Sequence, residues 1–380
     1  MNPLLLLVFL LEPSPQEFSD VNAYLKGDSR WRMEWRDAAD NRTHPASLRS
    51  RLSAQAVPLD GLRVAGELTT AIPYAGLAAS GSMSQAWADM EDFGLKNSNL
   101  RLGRFRLNAG KGRVLGEDDW SDYARAFDGW AWSGASSGRE WTFFSTSIAP
   151  LPGRLAGGQI LKGALGSWMD VVSGHNLHGW AIQSGNNDDT RMMTAGIGLD
   201  SEVASTLQLF IESNSQTGEE GAVSLSGAAS ACRIEWELTP GHKLHVEHAF
   251  ATGGASDPGA RFRIVQPDSH RHHGLMDRFG GSNLKDTSIG WTGSFHDMWT
   301  WGLVHHRFRA HESGQGAVST EGVISPPGNG TFGTEWDFYL RGSLRKDITV
   351  DVGVSGLDLG SGIPNERGGV WLFSQLSVSF

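Results

Sequence analysis

The chain has 380 residues, a formal net charge of -10, 19% charged and 39% hydrophobic residues, 15 tryptophans and one cysteine. No apolar run approaches the ~18 residues of a membrane-spanning helix, the acidic balance argues against a nucleic-acid footprint, and a lone Cys232 excludes an internal disulfide or thiolate metal cluster. With 49 glycines, nearly twice the usual ~7%, what remains is a folded, glycine-rich β protein, either soluble or a membrane barrel.

Leu4 to Leu11 forms a short apolar run followed by Glu12, Pro13, Ser14 and Pro15. Its length suits the apolar region of a secretory signal, which assigns residues 1–19 to a signal peptide and leader, although no basic residue precedes it. From there on, period-two alternation replaces helical periodicity. In Arg30-Trp31-Arg32-Met33-Glu34-Trp35-Arg36 every even position is charged and every odd one apolar, which a strand sorts onto two faces.

In chain order the pattern predicts eighteen strands. The first nine lie near 30–37, 45–57, 61–72, 83–92, 98–107, 124–133, 139–147, 158–170 and 175–184. The others lie near 190–200, 203–213, 222–238, 242–252, 286–295, 299–309, 331–345, 347–358 and 369–380. Connections after even-numbered strands are short, such as 58–60, 239–241 and 346; several after odd-numbered strands are long, such as 253–285 and 310–330. A meander that sorts its loops this way has the topology of an outer-membrane barrel. The chain stops on Phe380, on the face of Val370, Leu372, Leu376 and Val378, an ending that resembles the strand signal read by the barrel assembly machinery.

A closed sheet satisfies its backbone in lipid, so the apolar faces should meet lipid and the charged faces a wet lumen. Arg49, Arg51, Arg104, Arg106 and Arg341 then point inward with other strand arginines, while acids such as Asp118, Asp119, Asp122, Asp188 and Asp189 crowd the connections. The expected lumen is cationic inside an acidic protein, and such a channel concentrates anions; the plainer alternative is that these charges only pair across strands.

Two stretches carry more than alternation. One runs from Leu100-Arg101-Leu102-Gly103-Arg104-Phe105 through Gly112-Arg113-Val114-Leu115 to Arg125-Ala126-Phe127-Asp128-Gly129. The other joins Pro267-Asp268-Ser269-His270, Gly274-Leu275-Met276-Asp277 and Asn283-Leu284-Lys285-Asp286. Both resemble the alginate export family of bacterial outer-membrane barrels, as does Thr334-Glu335-Trp336-Asp337. The likeness covers 28–380 and implies an eighteen-stranded transmembrane antiparallel up-and-down barrel. It also implies an arginine-lined path for an acidic polysaccharide, with Arg104 and Arg125 as the leading lumen cations beside Arg113 and Asp128. His270, Asp277, Asn283 and Asp286 mark the second motif. Because Leu100 and Leu102 share parity with Arg104 and Arg106, a bulge at Gly103 is expected to turn Arg101, Arg104 and Arg106 inward together.

Other chemistry is weak. Gly134-Ala135-Ser136-Ser137-Gly138 matches G-x-S-x-G, but a strand rather than a helix follows, so it reads as a hairpin turn. Glu117, Asp118, Asp119 and Asp122 read as a solvated or arginine-paired loop rather than a calcium or catalytic site. His270, His272 and His273 have no spacing that fixes a metal. Trp120 and Trp168 are kept as sugar platforms; the other strand tryptophans read as interfacial anchors. The resulting expectation is a passive outer-membrane channel for an anionic polysaccharide, with no cofactor, no metal and no enzymatic activity. Its partners would be outer-membrane lipid, the assembly machinery and periplasmic export proteins. An anion-preferring porin importing acidic oligosaccharides and a soluble secreted polysaccharide-degrading enzyme are the alternatives.

Overall fold

The computed structural model describes residues 22–38, 41–73, 79–152, 158–186, 190–296, 298–319, 322–323, 330–363 and 366–380. The signal-peptide reading of 1–19 and the acids Asp188 and Asp189 lie outside them. The wall is a closed antiparallel barrel of eighteen strands. These are β1 (Asn22–Ala38), β2 (Ala46–Leu59), β3 (Leu62–Pro73), β4 (Ser80–Glu91), β5 (Ser98–Phe105) and β6 (Phe127–Ser136). Then come β7 (Arg139–Ile148), β8 (Ile160–Val172), β9 (His175–Asn186), β10 (Thr190–Ala204), β11 (Leu207–Glu220) and β12 (Ala228–Thr239). The last six are β13 (His242–Ala251), β14 (Leu284–Phe295), β15 (Trp299–Ala310), β16 (Thr331–Arg345), β17 (Ile348–Leu359) and β18 (Gly369–Ser379). Short pieces at Asn41–Thr43 and Val223–Leu225 extend the edges of β1 and β11.

Closure comes from β1, which pairs with both β2 and β18. The terminal residue seals that seam: Gly27 and Phe380 exchange backbone hydrogen bonds of 2.6 and 2.9 Å, and the Phe380 ring occupies the space a Gly27 side chain would need. A barrel leaves no unpaired edge, which strands in lipid require.

The two mouths differ as the spacing predicts. Connections 60–61, 137–138, 173–174, 205–206, 240–241 and 346–347 are two-residue turns at one mouth; 106–126, 252–283 and 311–330 lie at the other. At 137–138, Ser137 and Gly138 have φ of 49° and 74°, the double positive φ of a type I′ hairpin. The G-x-S-x-G match is therefore a turn.

Polarity is inverted relative to a soluble sheet. Met33, Leu102, Ile197, Ile289 and Trp336 are exposed on the outside, while Arg30, Arg49, Glu67, Asp89, Asp286, Glu335 and Asp337 are buried within. Trp168 is exposed, shares the outward parity of Ile160 and lies over Gly166 and Gly179, so it is a wall anchor and not a sugar platform. Outward aromatics Trp236, Trp291 and Phe295 are also exposed near the short-turn mouth, as an interfacial girdle should be. This outer face overturns the soluble-enzyme alternative. Ile289→Arg, on the outward face of β14, should cost about 2–4 kcal/mol if the position lies near the bilayer midplane. Urea titration of the protein folded in vesicles tests it, and an unchanged midpoint would mean that this face does not meet lipid.

Candidate functional site in the lumen

Loop 106–126 leaves β5 and crosses the barrel interior. Near its start Lys111 reaches Asp200 on β10 at 2.7 Å, and Arg113 pairs with Glu247 on β13. Further on, the same loop reaches β1 and β2. Arg30 donates to the Asp119 carbonyl (2.9 Å), the Ser121 carbonyl (3.1 Å) and the Asp122 carboxylate (3.1 Å). Arg32 donates to the Trp120 carbonyl at 2.5 Å, and Arg49 to the Asp119 carbonyl at 3.1 Å. Arg51 pairs with the Asp119 carboxylate.

Four guanidiniums thus grip residues 119–122. Arg30 and Arg49 are direct cross-strand neighbours, a like-charge pairing that costs energy unless something bridges it. The loop carbonyls and two carboxylates are that bridge. Among the described residues the Nε atoms of Arg30, Arg49 and Arg51 are buried without hydrogen-bond partners, while that of Arg32 pairs with Glu34 at 3.0 Å. Asp119 feels two opposing effects: burial pushes its pKa up, but Arg51 and Arg49 outweigh burial and hold it below the usual carboxylate range. Between these contacts Trp120 stacks on His270 at 3.9 Å, meets Trp371 and Phe373 edge-on, and carries Arg32 at 4.4 Å from its ring centre. It is the keystone of the docked loop, not an open platform.

The second loop, 252–283, enters from the same mouth and pairs with the first. Leu115 and Gln266 form a parallel bridge; the Gly116 N–H donates to the Gln266 carbonyl (2.8 Å) and the Asp268 N–H to the Gly112 carbonyl (2.7 Å). A side chain at Gly116 would stand 2.7 Å from the Asp268 backbone nitrogen, so glycine is needed for the approach. The turn Gly274–Met276 docks on β16: the Met276 N–H donates to Glu335 at 2.9 Å and the Leu275 N–H to Asp337 at 3.3 Å. The two sequence motifs are therefore one joined structure across the lumen.

The structure corrects two leading arginines. The register of β5 runs unbroken from 99 to 104 against β4 and from 98 to 105 against β6, so no bulge forms at Gly103. The phase change sits one strand away, at Ser84, where Glu67 pairs with Gln85 but Leu68 pairs with Met83. Arg104 accordingly keeps the outward parity of exposed Leu102 and forms a bidentate pair with Asp128 at 2.6 and 2.8 Å. Neither lines the lumen. Arg125 is inside but is not a path residue. It is buried, and its Nη1 donates to the carbonyls of Gly116 (2.7 Å), Gln266 (2.8 Å) and Pro267 (2.9 Å).

The remaining expected residues do face inward, mostly paired. Arg101 binds Asp89 with two 2.7 Å bonds and lies over Trp87. Arg106, past the end of β5, reaches Glu67 at 2.7 Å and Glu117 at 3.4 Å. Arg341 pairs with Asp351 at 2.6 Å and stays largely exposed. Asn283, in a left-handed conformation, ties loop 252–283 to the next loop by donating to the Gln315 carbonyl and accepting from the Glu312 N–H. His270 bonds Asp277 at 2.8 Å, His272 the Lys111 carbonyl at 3.2 Å, and His273 the Asp286 carboxylate at 3.2 Å. These three rings have three separate partners. Arg30 and Arg32 were legible as inward charges by alternation, but nothing in the pattern marked them as the loop's anchor.

Beneath the joined loops, on the short-turn side, lies a cavity of about 830 Å³. Lys111, Arg113, Arg233 and Arg271 line it, but so do Glu140, Asp200, Glu212, Glu235 and Glu247. This part of the lumen is of mixed charge, not cationic. The arginine excess belongs to the β1–β2 wall.

The model of the alginate export family matches residues 22–370. Solved structures similar to this chain include three from Pseudomonas aeruginosa. OccK2 (OpdF) in complex with glucuronate has a TM-score of 0.71 at 12% identity, with 96% of this chain and 100% of that one covered. OccK5 (OpdH) has 0.70 at 10%, covering 94% and 98%. The outer membrane protein OpdK has 0.69 at 11%, also covering 94% and 98%. At such identities the likeness shows the fold. No curated protein matches the chain. Fold and family place the protein in the bacterial outer membrane and point to a channel rather than an enzyme. With a match that runs from the first residue of β1 into β18, the chain belongs to the alginate export family.

Proposed function

We propose that the barrel is a passive channel for an anionic, uronate-rich saccharide polymer, and that the arginine wall of β1 and β2 is its contact surface. The observation that carries this reading is the grip of Arg30, Arg32, Arg49 and Arg51 on Asp119 and Asp122. Those two carboxylates and the carbonyls beside them stand where the acid groups of a passing chain would stand. With the loop displaced, four adjacent guanidiniums would face the lumen and favour anions. Many weak, interchangeable contacts suit sliding better than one tight site. No cofactor enters this reading. Insertion through the assembly machinery at the Phe380 strand, and periplasmic partners at the short-turn mouth, belong to the same proposal.

A second reading, uptake of small acidic sugars, draws on one observation: the glucuronate in the OccK2 complex, a protein of the same fold. Planar-bilayer recording separates the two. The wild-type channel should prefer chloride to potassium, and Arg49→Glu with Arg51→Glu should abolish or reverse that preference. Block by a polyuronate, lost in the same variant, supports the polymer; anion preference without polymer block supports small sugars. Cation preference in the wild type would sink both.

A further inference from the structure

The outward face carries its own charge pattern near the long-loop rim. Two outward cations there have acids beside them: Arg104 binds Asp128, and Arg191 stands opposite Glu219. Lys285 on β14 and Arg307 and Arg309 on β15 differ. Their chain neighbours Leu284, Asp286, His306, Phe308 and Ala310 are all buried on the inner side, so alternation places these three cations on the lipid side. Lys285 is directly opposite Arg309, and Arg307 faces Thr287 on one side and Thr334 on the other.

Among the described residues none of the three has an acidic partner. Asp286 is turned inward to His306 and His273. Glu312 accepts from the Ala255 and Ser256 N–H groups. The nearest outward acid in the register, Asp358, lies beyond Thr334, two strands or about 10 Å from Arg307. Like charges placed directly opposite destabilise a sheet, so the wall alone gives no reason for this cluster.

Depth supplies the second observation. Trp299, Trp301, Leu303 and Arg309 share the outward face of β15. At about 3.3 Å per residue and a tilt near 40°, Trp299 and Arg309 are separated by about 25 Å along the barrel axis, the height of the apolar band. The cluster therefore sits where the external headgroups begin. We infer that Lys285, Arg307 and Arg309 form a docking site for the phosphorylated sugar headgroup of an outer-leaflet glycolipid. Two guanidiniums supply planar, paired donors for phosphate oxygens and the ammonium a third charge.

The test uses the full-length protein folded in detergent, with bisphosphorylated lipid A as the probe and native mass spectrometry as the readout. Lys285→Gln, Arg307→Gln and Arg309→Gln together should weaken binding by at least about tenfold. Lys285→Glu alone, which supplies Arg309 with a cross-strand partner, should also weaken it. Heat-modifiable gel mobility checks that each variant is folded. Dephosphorylated lipid A should bind the wild type no better than it binds the triple variant. Three results would each overturn the proposal: equal binding by the triple variant, displacement of the lipid by millimolar inorganic phosphate, or an equal loss from Lys162→Gln, an outward cation on β8.

Discussion

Arg125→Gln should raise single-channel conductance severalfold and expose loop 106–126 to protease while the barrel stays folded. Arg125 Nη1 is shared by three carbonyls, those of Gly116, Gln266 and Pro267, so one side chain holds both lumen loops to each other. Asp118 balances its charge at 3.7 Å. Shortening the side chain leaves buried carbonyls unsatisfied at about 1–3 kcal/mol each, and a glutamine amide cannot span all three. The barrel wall shares none of these bonds, so thermal unfolding of the sheet should move little. A second variant attacks the same junction sterically: Gly116→Val places a side chain against the Asp268 backbone. If both variants conduct like the wild type, the joined loops do not restrict the path.

Alternation made the wall readable because each strand records its two environments residue by residue. The pattern in 30–37 survives as Met33 outside and Arg30 and Arg32 inside, although β1 begins earlier, at Asn22. Loop lengths made the mouths readable for the same reason: turn chemistry is local. Parity held through β5, where Leu100, Leu102 and Arg104 share the outer face, and the inferred bulge at Gly103 was the misreading. An arginine can sit on the outer face of a barrel if an acid such as Asp128 stands opposite and the position is near the rim. The destinations of the two motif loops could not be read locally. Trp120 meets His270 and Phe373, and Arg113 meets Glu247, across separations that no short-range pattern encodes. That is also why the expected cationic lumen became a gripped arginine wall beside a mixed-charge cavity.

Acidification below neutrality should loosen the joined loops, and His272→Gln should remove most of that response. His272 sits on the second loop with its Nε2 beside the Lys111 carbonyl of the first. Burial first, then Arg113, His273 and Arg271, hold its pKa well below the ordinary value of 6.5. The docked loop therefore keeps this imidazole neutral, whereas an undocked loop lets it take a proton. Docking strength is full above the undocked pKa and declines as pH falls below it, by at most tenfold per pH unit in the docking equilibrium. The ring keeps a face on the cavity, so the measured slope should be shallower than that limit. Two other loop groups act differently. Asp268, whose pKa burial and Asp118 raise, gains a proton on docking in mildly acidic solution and opposes the release. Asp119, held low by Arg51 and Arg49, keeps its charge until the pH falls below its ordinary 3.8. Conductance should thus rise between about pH 6.5 and 5 in the wild type, and in His272→Gln, where Asp268 acts alone, it should not rise there but stay level or fall. A further rise below about pH 4 should persist in His272→Gln and vanish in Asp119→Asn. A wild-type response that starts only below pH 4 would mean that the arginine grip, not His272, governs docking throughout.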